Sequence, residues 1–221
     1  MAATKKKADS KPDASKIMEA YMQFVLEHEK EPKSVYKLCK EIGIEEAQFY
    51  KFFGSIDALK KFIWKHFYSQ TLHVIEKDKN YEQYANREKM LAFFFTFFEN
   101  LTLNRSYILY VLHSHKNMLK NLDQLKGLRV HIKEYATELI DERNADKAFK
   151  ITQRSPQIFS EGAWLQFLFL LKFWMEDTSS GFEKTDIAIE KSVNTIFDVF
   201  DNTPLDSILD FGKFLWKENK A

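Results

Sequence analysis

Six histidines, one cysteine and six glycines are the residues from which a metal site, a nucleophile or a phosphate loop would be built in this chain of 221 residues. The histidines stand at positions 28, 66, 73, 113, 115 and 131. His113 and His115 are two apart, so a helix points them to different sides. His66 and His73 share a helical face, but no carboxylate stands beside them at metal-ligand spacing. Cys39 is alone, which permits no internal disulfide and no cysteine-based zinc site. Gly43, Gly54, Gly127, Gly162, Gly181 and Gly212 are scattered and form no phosphate loop, and neither His-Glu-x-x-His nor Gly-x-Ser-x-Gly occurs. No metal, no cofactor and no enzymatic activity is expected.

The aromatic residues are the other chemical resource. There are 21 Phe, and aromatics make up 15% of the chain. Phe93, Phe94, Phe95, Phe97 and Phe98 surround Thr96 and cover more than one face of a helix, so that helix is expected to be buried on several sides. One reading is a dense core together with a dimer interface. The other is an aromatic-walled pocket for a small hydrophobic or planar ligand, with polar handles at its edge. Its candidate lining is Phe94, Phe98, Tyr107, Tyr110, His113, Trp164 and Phe167.

The elements that position these residues follow from periodicity and breakers. Ile17, Ala20, Tyr21, Phe24 and Val25 recur at three- and four-residue steps and predict a helix over 14–29, ended by Pro32. Ser34 caps a short helix with Val35, Leu38 and Ile42 inward, and Gly43 breaks it. A third short helix is expected over 45–52, with Phe49, Phe52 and Phe53 in the core of a three-helix head. Ser55 then starts a long helix to about residue 77, with Leu59, Phe62, Ile63 and Phe67 inward. Further helices are expected at about 84–102, 104–119, 121–143, 156–177, 183–200 and 204–218. Ser155-Pro156 and Thr203-Pro204 each set a cap before a proline in the first helical position. Four Pro and six Gly are too few for an all-β chain. The expected fold is all-α, with about nine or ten helices.

Length and charge bound the rest. Such a length suits one large or two small domains. The formal net charge is +1. The first 80 residues carry 15 Lys and 12 acidic residues, so the positive excess lies at the N-terminal end. Residues 1–13 read as a polar, basic, disordered tail with Lys5, Lys6, Lys7 and Lys11. No apolar stretch follows the basic start as in a secretory signal. The most apolar run, Trp164 to Met175, contains Gln166 and Lys172, and is shorter than the ~20 residues that span a bilayer. A soluble cytoplasmic protein with no membrane partner is expected.

Three short helices, the second and third joined by a tight turn at Gly43, form a helix-turn-helix pattern. The stretch Lys33 to Leu59 resembles the DNA-binding segment of TetR/AcrR-type transcriptional regulators. The matching positions are Ser34, Val35, Leu38, Gly43, Ile44, Phe49, Tyr50, Phe53, Ser55, Asp57 and Leu59. The resemblance implies a homodimer whose heads read operator DNA and whose larger domains bind a small, often apolar molecule that releases the DNA. It implies a head over 14–60 and a ligand-binding and dimerisation domain over 61–221. The dimer would form through the helices near 156–177 and 183–200. Candidate DNA contacts are Lys33, Ser34, Tyr36, Lys37, Gln48, Tyr50 and Lys51. Gln48 has the chemistry to pair with adenine, and Tyr50 and Lys51 to hold phosphates.

The chain also departs from the family pattern. Glu45 and Glu46 place carboxylates where the recognition helix meets DNA. Phe52 replaces a residue that is often Tyr or His, and Ile56 replaces a phosphate-facing Lys. The stretch Trp174 to Asp186 looks a little like the corresponding turn in ubiquinone-biosynthesis accessory proteins, which share the fold but carry a lipid and have lost DNA binding. The alternative expectation is therefore a lipid- or partner-binding protein of the same fold that no longer reads DNA.

Overall fold

The computed structural model describes residues 13–113, 123–145 and 155–202. Among these residues there are nine α-helices and no strand. They are α1 (Ala14–His28), α2 (Val35–Ile42), α3 (Glu46–Phe49), α4 (Ile56–Ile75), α5 (Asn86–Leu103), α6 (Arg105–His113), α7 (Lys126–Ala145), α8 (Pro156–Glu176) and α9 (Glu183–Asn202). The all-α expectation holds. The helix expected at 204–218 and the end of the one expected at 104–119 lie outside the described residues.

Local chemistry sets the helix ends. The Lys16 N–H donates to Asp13 Oδ1 at 2.8 Å and the Lys37 N–H to Ser34 Oγ at 3.2 Å. The Ala58 N–H donates to Ser55 Oγ at 3.1 Å. Each bond satisfies a donor that the first helical turn leaves without a partner. Gly43 ends α2 at φ 73°, a conformation that side chains with a Cβ rarely adopt. Ser155 caps α8, with Pro156 opening the helix. The turn into α9 is held by Asp177. Its Oδ1 accepts from the Ser179 N–H and hydroxyl, and its Oδ2 from the Thr185 N–H and hydroxyl, at 2.6–2.9 Å. Burial alone would raise the Asp177 pKa; these four bonds outweigh it and hold the pKa at about 2.

The chain forms two compact units. The first contains α1, α2, α3, the start of α4 as far as Trp64, and α6. It takes α6 in addition to the helices expected of the head. Its core is Ile17, Tyr21 and Val25 of α1, Leu38 and Cys39 of α2, Phe49, Phe53, Leu59 and Ile63, and Tyr107, Ile108 and Val111 of α6. The Tyr21 and Tyr107 rings meet edge to face at 6.3 Å. Trp64 Nε1 donates to Gln124 Oε1 at 3.0 Å, and Gln124 Nε2 donates to the Val111 carbonyl at 3.3 Å. Both polar ends of this buried carboxamide are thus engaged, as burial demands. Tyr21 Oη has no hydrogen-bond partner among the described residues, although the residue is fully buried.

The second unit contains the rest of α4 together with α5, α7, α8 and α9. Helices α7 and α8 pack against each other, and α9 packs on both α5 and α8. Rings fill the space between them. Phe93 stacks on Tyr135 at 4.8 Å, Trp164 on Phe167 at 5.3 Å, and Phe98 lies 6.1–6.2 Å from Phe167 and Trp174. Such pairs contribute about 0.5–1.5 kcal/mol beyond the area they bury. Trp174 Nε1 donates to Thr102 Oγ1 at 3.0 Å. The buried Lys89 ammonium donates to Glu142 at 2.9 Å and lies over the Tyr81 ring. Tyr135 Oη donates to the Lys89 carbonyl and accepts from Tyr81 Oη. Phe95 is the exposed member of the α5 aromatic run.

Candidate nucleic-acid interface

Helix α2, the Gly43 turn and α3 present the candidate DNA contacts. Lys33, Ser34, Tyr36 and Lys37 are all exposed at the start of α2. Ser34 Oγ accepts from the Lys37 N–H, which leaves its own hydrogen to donate outward. Tyr50 and Lys51 are exposed just beyond α3, and Tyr50 packs edge-on against the buried Phe49 at 5.7 Å. Tyr36 and Tyr50 are 61% and 52% exposed, so both phenols stand in solvent on the surface of the head.

Gln48 has a second occupation. Its Oε1 accepts from the Glu45 N–H at 3.0 Å, reaching back to the start of its own helical turn. One acceptor position of the carboxamide is therefore already used. Helix α3 itself is a single turn, continued to Phe53 by the Phe52 and Phe53 N–H groups, which both donate to the Phe49 carbonyl at 3.0 Å. Phe49 and Phe53 are buried, as expected. Phe52 is not: it is 44% exposed, and this corrects the expectation that it lies in the core. Its position falls on the flank of the turn, away from the side that Phe49 and Phe53 insert. Glu45 is exposed and Glu46 half-buried.

The candidate ligand residues fall into two groups. Phe94, Phe98, Trp164 and Phe167 belong to the second unit and are all buried; Phe98, Trp164 and Phe167 lie within the ring cluster described above, and Phe94 meets Phe93 edge-on at 5.5 Å. Tyr107, Tyr110 and His113 belong to α6 of the first unit. Tyr107 is buried, Tyr110 half-buried and His113 exposed, with its Nδ1 paired to the Leu109 carbonyl at 2.8 Å. Burial first, and then Glu31, raise the pKa values of both tyrosines.

Among the described residues of the second unit, two surface grooves stand out. One, of about 550 Å³, runs between α8 and α9 and is lined by Phe169, Phe173, Ile187, Ala188 and Ile196 among others. The second, of about 830 Å³, lies along α7 and the start of α8, with Lys126, Arg129 and Lys133 on its wall. None of the seven candidate ligand residues lines either groove. Sequence reasoning missed the outward apolar residues of α8 and α9. Leu165, Phe169, Ile187 and Val199 are all exposed there. Their spacing is legible in the sequence, but an apolar stripe does not say by itself whether it faces a core or solvent. Among the described residues no group of three or more His, Cys, Asp or Glu is placed to hold a metal ion, and no helix is long and apolar enough to cross a membrane.

A single-turn third helix joined through a left-handed glycine to a capped second helix, followed by an all-helical unit, defines a helix-turn-helix head attached to a helical bundle. Residues 89–215 match the family model described as a tetracyclin repressor-like C-terminal domain. That match covers more than half of the chain, which therefore belongs to the TetR family. No curated protein matches the sequence.

Proposed function

We propose that the protein is a transcriptional regulator that binds double-stranded operator DNA as a homodimer and represses until a small hydrophobic ligand releases it. The observation that carries this reading is the set of exposed donors on the head: Lys33, Ser34, Tyr36, Lys37, Tyr50 and Lys51. A helix-turn-helix places its second helix in the major groove while the first crosses the backbone. Lysines and hydroxyls around it then hold phosphates and fix the register. Dimerisation is supported by the apolar groove between α8 and α9, with the exposed Phe169 and Ile187 in its lining, since contiguous apolar surface marks interaction sites. The ligand-binding part of the proposal assigns Phe94, Phe98, Trp164 and Phe167 of the second unit to the hydrophobic effector. The protein acts in the cytoplasm, and no reaction is assigned to it.

The test is a binding titration with duplex fragments from the gene's own upstream region at several salt concentrations. A specific shift is expected, with a log–log salt slope of about 0.9 per phosphate contacted. Absence of any shift at low salt and about micromolar protein, the upper end of ordinary non-specific affinity, would sink the proposal.

The outward Phe52, together with Glu45 and Glu46, favours a second reading: a lipid- or partner-binding protein of the same fold without DNA contact. Native mass spectrometry separates the two. A co-purified lipid together with no DNA shift supports the second reading, and a ligand-free mass with a specific shift supports the first.

A further inference from the structure

Helix α3 and its continuation divide the aromatic run from Phe49 to Phe53 between two sides. Phe49 and Phe53 are four residues apart and both buried, so they mark the inner side. Gln48 and Phe52 are also four residues apart, and they share the adjacent, outward side. Phe52 leaves 44% of its surface to water there, beside the exposed Lys51 and Tyr50. A phenyl ring has no donor for a phosphate and no partner for a base-edge hydrogen bond. The one apolar group on the major-groove edge of DNA is the C5 methyl of thymine.

We propose that Phe52 is a specificity-determining residue of the head, whose exposed ring lies against a thymine methyl group about two base pairs from the base that Gln48 faces. The distance follows from geometry. Side chains four apart on a helix start about 5–6 Å from each other, and successive base pairs rise about 3.4 Å. The inference rests on the DNA-reading proposal. It matters for that reading because one acceptor position of the Gln48 carboxamide is already taken by the Glu45 N–H at 3.0 Å, which fixes how the side chain can turn. An apolar contact on Phe52 adds discrimination to whatever the carboxamide reads.

The experiment uses the full chain. Duplexes enriched from a random pool define the preferred site, and each thymine in one half-site is then replaced by uracil, which differs only in lacking the methyl group. One position, about two base pairs from the site of Gln48 contact, is expected to lose about fourfold in affinity, the worth of one buried methyl group. The Phe52→Ala protein is expected to bind the two duplexes equally, and Phe52→Leu to keep part of the preference. Equal binding of thymine and uracil duplexes by the unaltered protein at every position overturns the proposal, as does full discrimination by Phe52→Ala. Enrichment without a methyl effect removes this inference alone. No enrichment of any sequence removes the DNA-reading proposal and this inference with it.

Discussion

Replacing Tyr21 by Phe is expected to make the protein more stable. The ring is fully buried in α1 and meets Tyr107 edge to face at 6.3 Å, contacts that a phenylalanine keeps. The hydroxyl is different, since no group among the described residues pairs with it. A buried hydroxyl without a partner costs about 1–3 kcal/mol, so its deletion should return about 1–2 kcal/mol after a small loss of contact. For a chain of this size, 1 kcal/mol moves the midpoint of thermal unfolding by about 2–4 °C. Burial first, then the neighbouring Tyr107 and Glu31, hold the phenol well above its ordinary pKa, so it stays neutral and the gain should not vary between pH 6 and 9. Urea unfolding followed by circular dichroism measures the change, at one fixed protein concentration because self-association shifts apparent stability. Tyr21→Ala serves as the control, with an expected loss of about 3–5 kcal/mol for removing a buried ring. If Tyr21→Phe instead loses 1 kcal/mol or more, the hydroxyl is bonded in solution and the reasoning fails.

Asp177→Asn should lower stability at neutral pH by about 2 kcal/mol, the scale of hydrogen bonds to a charged acceptor. Because the Asp177 pKa is depressed, its contribution is complete above the ordinary carboxylate range and is lost as pH falls toward about 2; stability curves of the variant should therefore be flatter on that acid limb. Phe169→Glu, in the groove between α8 and α9, should shift sedimentation from dimer to monomer, and an unchanged dimer would place the interface elsewhere. Glu46→Ser should tighten non-specific DNA binding several-fold at low salt by removing a carboxylate near the phosphates; no change would mean that α3 does not approach DNA.

The helices were legible in the sequence because their signals are local. Ser34, Gly43, Ser55 and Ser155 act within three or four residues of their own positions, and the structure uses each one. The buried side of α4 was also readable, since Leu59, Ile63 and Phe67 follow the helical period. Other features required partners far away in the chain. Trp64 is buried because Gln124, 60 residues later, accepts its N–H. Lys89 is buried because Glu142 and the Tyr81 ring receive its ammonium. The joining of α6 to the first unit depends on contacts between α1 and α6 that no periodicity announces. At the head, the sequence pattern located Tyr50 and Lys51 on the surface. It misjudged Phe52 because a five-residue run with three phenylalanines offers too few turns to separate the inward side from its flank.

If the proposed effector enters the ring cluster of the second unit, rings already in contact would gate it by population rather than by size. Phe98 and Trp164 each lie against Phe167, so a hydrophobic guest among them would bind only the arrangement in which they have parted. The apparent dissociation constant is then the intrinsic one divided by the fraction of molecules so arranged. An arrangement present in about 1% of molecules weakens binding about a hundredfold. Trimming Phe98 or Phe167 to a smaller side chain would enlarge that fraction while weakening the core that holds α5 to α8. Under the proposed function, sensitivity to the effector and resistance to heat would be set by the same contacts and move in opposite directions.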